Sequence, residues 1–91
     1  MKPKVLEYKE TCGACPSQWK GKLEDGKFIY IRYRWSTLEV GIGKDMAEAV
    51  RSREVFERTP GDGLLGVMED VTMRERLTAH GFDMTEAKEV H

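Results

Sequence analysis

The sequence predicts an α+β domain: an antiparallel three- to four-stranded meander sheet with two or three helices packed on one face. Three observations predict it. Lys27 to Trp35 alternates with period two in β-branched, aromatic and arginine residues, as a strand with two different faces does. The stretches on either side can be set in register with it so that one apolar face runs across all of them. After Gly43 the apolar spacing lengthens to that of a helix, once from Met46 and again beyond Thr72.

A chain of 91 residues makes one domain, 1–91, with the sheet expected in 4–43 and a helical half in 44–91. A domain this small buries only about 60–65% of its unfolded surface, so each core contact matters. The net charge of −1 argues against binding nucleic acid by bulk electrostatics, although a local basic patch is compatible with it. No apolar run approaches the roughly 18–20 residues of a membrane span, and Met1 to Lys4 is charged with no apolar stretch behind it. The expected compartment is cytoplasmic, with no membrane partner.

Taken in order, Lys4 to Glu10 predicts a short strand with Leu6 and Tyr8 on one face. Thr11 to Ser17 predicts a loop, because a Gly and a Pro fall within Cys12-Gly13-Ala14-Cys15-Pro16. Gln18 to Leu23 predicts the next strand, with Trp19, Gly21 and Leu23 on one face and Lys20 and Lys22 on the other. A two-residue turn at Asp25-Gly26 would set the apolar face of this strand beside the arginine face of the next. A three-residue loop, Glu24-Asp25-Gly26 with Gly26 left-handed, pairs Gly21 with Ile29 and Trp19 with Ile31 instead. The three-residue loop is therefore expected, since a slip of one residue turns a strand inside out.

Beyond Arg34 the register pairs Tyr33 with Leu38, Ile31 with Val40 and Ile29 with Ile42. On the other face Arg32 meets Glu39 as an ion pair, and Tyr30 lies over Gly41. A four-residue turn is expected there, because Trp35 and Ser36 suit positive φ poorly. Asp45 then caps a helix, with Glu48 placed for a capping box and Met46, Ala49 and Val50 as the apolar stripe. Glu54 to Arg58 fits either a last helical turn or a short strand. Thr59 to Gly63 is loop by composition, and Leu64 to Met68 is an apolar run that must pack. Thr72 is expected to cap a second helix, closed by Gly81 at C′ with Phe82 against Leu77. Asp83 with Glu86 suggests a third short helix.

Little in the chain reads as catalytic. Cys12-x-x-Cys15 has zinc-ligand spacing, but a structural site needs four ligands and the histidines, His80 and His91, are poorly spaced for it. As a redox pair it would open a helix, whereas a strand is expected to follow it. No catalytic residue, cofactor or metal is expected, and Cys12 and Cys15 are read as turn residues. His80 is read as serving the carbonyls at its own helix end. A helix-turn-helix reading of Thr72 to Val90 would present Glu86 and Glu89 to phosphates, which disfavours it.

The candidate binding residues are Phe28, Tyr30, Arg32 and Arg34, on the face opposite Ile29 and Ile31, with Lys20 and Lys22 beside them. Aromatics and cations on an open sheet face stack bases in RNA-binding sheets and also anchor protein interfaces. The plainer reading is a solvated face with arginine stems over the rings. Two of these positions have structural roles in the register, Arg32 toward Glu39 and Tyr30 over Gly41. That leaves Arg34 as the leading candidate for a functional contact.

The stretch Cys12-Gly-Ala-Cys15-Pro-Ser-Gln-Trp19, continued by Tyr30-x-Arg-Tyr-Arg-Trp35-x-x-Leu-x-Val, resembles small accessory proteins encoded by tailed phages of actinobacteria. The likeness covers about the first half of the chain. It carries over no assigned activity and transfers no site residue; many proteins of that kind and size act by binding a host component. The functional expectation is a non-enzymatic binding protein, under the resemblance a phage-encoded modulator of a host protein in the host cytoplasm. A nucleotide or RNA binder using the same face is the first alternative. A CxxC metal or redox protein is the second.

Overall fold

The computed structural model of the chain describes residues 3–13, 17–34, 37–58 and 69–90, the side chains at 12 and 13 excepted. Its strands are β1 (Val5–Gly13), β2 (Ser17–Leu23), β3 (Phe28–Arg34), β4 (Thr37–Gly43), β5 (Glu54–Arg58) and β6 (Lys88–Glu89). Helix α1 (Met46–Arg51) lies between β4 and β5, and α2 (Asp70–Ala79) between β5 and β6.

The central register is the one the turns require. Trp19 pairs with Ile31 and Gly21 with Ile29, and the next ladder pairs Ile31 with Val40, Tyr30 with Gly41 and Arg32 with Glu39. The β2–β3 loop is Glu24-Asp25-Gly26: Leu23 N–H donates to Lys27 O at 2.8 Å, and Gly26 takes φ 90°. A side chain would be strained there, which is why glycine occupies it. The ladder between β3 and β4 continues to Arg34 opposite Thr37, so this turn is shorter than the four residues expected.

The sheet is larger than predicted. Among the described residues it has six strands in the order β5-β4-β3-β2-β1-β6, antiparallel except for β6, which runs parallel to β1. Both edge strands come from the half expected to be helical. Glu54 to Arg58 resolves as a strand, with a register shift between Leu38 and Glu39. The expected third helix is replaced by a strand because main-chain bonds to β1 claim the segment. Val5 N–H donates to Asp83 O at 3.0 Å and Val90 N–H to Tyr8 O at 2.7 Å. The Asp83 carboxylate meanwhile accepts from Thr85 N–H and Oγ, holding a turn where a helix would start.

One face of the sheet carries the main core. Trp19, Ile29, Ile31, Leu38 and Tyr8 pack there with Met73 and Leu77 of α2 and with Phe82 and Met84. At β1 the expected pairing of Leu6 with Tyr8 fails. A register shift between Val5 and Glu7 turns Val5 inward beside Tyr8 and leaves Leu6 exposed. The strand also runs on to Gly13, through residues expected to be loop.

Helix α2 starts at Asp70, two residues before the expected cap at Thr72, and no side chain caps it. Glu69 and Asp70 instead place negative charge at its N-terminus. Its end is the predicted one: Gly81 has φ 94°, and Phe82 N–H donates to Leu77 O at 3.0 Å.

Helix α1 overturns the one-sided layering. As expected, it is capped by Asp45, whose Oδ1 accepts from Glu48 N–H at 2.8 Å, and it ends at Arg51 with Ser52 as its C-cap. It packs, however, on the face opposite the core. A β-carbon on Gly41 would collide with the Ala49 carbonyl oxygen, and one on Gly43 would lie 2.6 Å from Ala49 N. Two glycines on alternate residues of β4 thus form a smooth seat for the helix backbone. Ala49 is fully buried against it, and Arg53 crosses the Tyr30 ring with its guanidinium carbon 5.8 Å from the centroid.

Candidate functional site

Strand alternation does put Phe28, Tyr30, Arg32 and Arg34 on one face, but α1 divides that face in two. Tyr30 is only 4% exposed, so the expectation that it lies open is corrected: it is sealed by α1 and Arg53. Phe28 and Arg32 are half-buried and Arg34 is exposed. Arg34 already makes a contact of its own within the chain, so its selection by elimination does not hold. Arg32 sits opposite Glu39 in the ladder, yet no ion pair joins these two side chains. Its Nε is buried with no hydrogen-bond partner among the described residues.

The open half lies over β1, β2 and the start of β3. A helix of six residues spans about 9 Å, and strands lie about 4.8 Å apart, so α1 covers roughly two strands whichever way it lies. Those are β3 and β4. What it leaves uncovered is ordered by the ladders, where Lys9 pairs with Lys20, Glu7 with Lys22, and Lys22 in turn with Phe28. The Lys22 ammonium stands 5.9 Å from the Phe28 ring centroid and 3.9 Å from a Glu7 carboxylate oxygen. Between these side chains is a shallow depression of about 290 Å³ with Phe28, Met46 and Val90 as its apolar lining and Lys9, Lys20 and Lys22 around it.

The sequence reading therefore reached Phe28, Lys20 and Lys22 but missed Lys9 and Met46. Lys9 was accessible from sequence, because alternation from the inward Tyr8 puts it on this face once β1 is paired with β2. Met46 was assigned to the core stripe of a helix expected on the other side.

Two further clusters are structural. Arg74 donates to the Tyr8 hydroxyl at 3.0 Å and to the carbonyls of Ala87 and Met84 at 2.9 and 2.8 Å, tying the C-terminal segment to the sheet. Burial raises the Tyr8 pKa, the Asp70 carboxylate adds to that rise, and Arg74 opposes it. His80 does not turn back to its own helix end as expected. Its Nε2 meets Glu57 Oε2 at 2.7 Å, joining α2 to edge strand β5 beside Phe56.

Among the described residues no group of three or more His, Cys, Asp and Glu side chains is placed to hold a metal ion. The Cys12 backbone pairs with Gln18 in the β1–β2 ladder, while its side chain and Cys15 lie outside the described residues, as do Trp35 and the Leu64–Met68 run. Among the described residues no helix is long and apolar enough to cross a membrane. Comparison with protein-family models, with curated proteins and with solved structures finds no match.

Proposed function

We propose that this is a non-enzymatic binding protein that holds a protein partner on the open half of its cationic sheet face. Under the resemblance noted above, it is a phage-encoded modulator of a host protein. One observation carries the reading: α1 seals the β4 side of the face and leaves an apolar depression at Phe28 and Met46 rimmed by three lysines and Glu7. An apolar centre with a charged rim is the composition of a protein interface.

The nucleotide or RNA alternative draws on the same cations, but it loses half its aromatic platform with Tyr30 under α1. The test is a comparison of captured partners. A partner recovered by the native protein should be lost to Phe28→Ala, which removes the centre of the depression, in a variant that still unfolds cooperatively. Arg34→Ala, further along the same strand, should weaken capture less. Retention of the partner by Phe28→Ala, or capture of nucleic acid alone, refutes the proposal.

A further inference from the structure

We infer that the segment seated on this face is an acidic peptide of the partner, with one apolar anchor side chain flanked by carboxylates; the inference rests on the protein-binding reading above. The charges argue for it. Lys9 and Lys20 stand directly opposite each other in the ladder, a like-charge pairing that sheets avoid, and no ion pair offsets either among the described residues. One row away, Arg32 is half-buried, and among the described residues its Nε has no hydrogen-bond partner and no ion pair joins it to Glu39 across the ladder. The fold thus concentrates positive charge over three strands and spends little of it internally. Among the described residues the one ion pair in this region of the face, Lys22 with Glu7, is long at 3.9 Å and exposed.

Three observations favour a carboxylate-bearing peptide over a phosphate chain. The floor is apolar, and at about 290 Å³ the depression lies at the lower limit of ligand pockets, which suits one anchoring side chain better than a cofactor. The chain as a whole carries a charge of −1, so it offers a polyanion no bulk attraction beyond local groups of cations such as this one. A short acidic segment can stay within it, whereas a long polyanion would run out onto surface with no attraction. Phe28 is also the one aromatic ring left uncovered on this face among the described residues, so no row of stacking platforms exists.

The experiment is selection of short random peptides displayed against the intact protein, repeated with Lys20→Glu. That substitution turns the Lys9–Lys20 repulsion into an attraction, so the variant should stay folded and its loss of binding cannot come from unfolding. The expected result is enrichment of peptides with Asp or Glu around one large apolar residue. Their affinity should fall at least tenfold on Lys20→Glu, fall again when the apolar residue becomes Ser, and weaken with added salt. Enrichment of neutral or basic peptides that still depend on Phe28 overturns the inference and leaves the protein-binding reading standing. Binding of a single-stranded oligonucleotide that Lys20→Glu abolishes, with no peptide enriched, overturns both. Acidic peptides that bind Lys20→Glu as well as the native protein overturn the inference.

Discussion

Substituting Gly41 with Ala tests the feature that most reshapes the candidate site, the seating of α1 on the sheet. A β-carbon at Gly41 would meet the carbonyl oxygen of Ala49 and would lie 3.0 Å from both the Ala49 carbonyl carbon and Arg53 N. All of these are main-chain atoms, so no rotamer change relieves the clash and the helix must lift. Overpacking of this kind costs about 1–3 kcal/mol. On an uncovered strand the same substitution would remove the entropic handicap of glycine and gain roughly 0.5–1 kcal/mol. The two layerings therefore predict effects of opposite sign. For a domain of this size each kcal/mol moves Tm by about 4–8 °C, so thermal unfolding followed by circular dichroism should show a fall of at least about 4 °C. Tyr30→Ala should behave consistently, with a loss of about 3–5 kcal/mol, as for other buried aromatics cut to Ala. An unchanged or higher Tm for Gly41→Ala refutes the seating of α1, and with it the division of the face.

Two other predictions address the opposite side of the sheet. Ile31 is fully buried between Trp19 and Val40, so Ile31→Ala should cost about 2–5 kcal/mol in denaturant unfolding; a cost below about 1 kcal/mol contradicts the register. Stability should also decline in alkali. Burial, and next the Asp70 carboxylate, raise the Tyr8 pKa above its ordinary 10.0, so the folded state favours the neutral phenol. That contribution is complete below about pH 10 and is lost as pH rises through the higher folded value. Lys4, held protonated by Glu86 and Glu24, shifts the same way from 10.5. Denaturation midpoints followed through this range should fall more steeply for the native protein than for Tyr8→Phe. Parallel curves refute the assignment.

The central sheet was legible because each turn allowed one register that keeps apolar faces together. Gly26 at the third loop position and the match of Ile31 with both Trp19 and Val40 were independent constraints with one solution. The Gly81 helix end was legible for a similar reason, since its motif is local. The edge strands were not. β5 carries Glu54, Glu57 and Arg58 among five residues, and β6 is two residues of opposite charge. Neither has an apolar alternation to read. β6 is fixed by bonds to residues more than seventy positions away and by Arg74 reaching its preceding carbonyls, which no local pattern encodes.

The chemistry of the candidate face was legible, but its accessibility was not, and the two have different physical origins. Alternation alone assigns Phe28, Tyr30, Arg32 and Arg34 to one side. Which of them meets solvent depends on where a six-residue helix lands, and that is decided by the residues it lands on. The deciding signal lies in β4. Gly41 and Gly43 share a face with Tyr30, and Ala49 stands where the helix must come closest. Glycines on alternate strand positions offer a flat main-chain surface and no side-chain contact of their own. They are costly in a strand unless another backbone fills the space above them. Read in that way, the pair implies a covered β4, and the shortness of the helix implies that the cover stops near β3. The depression rimmed by three lysines and Glu7 is then where the sheet face outruns the helix above it.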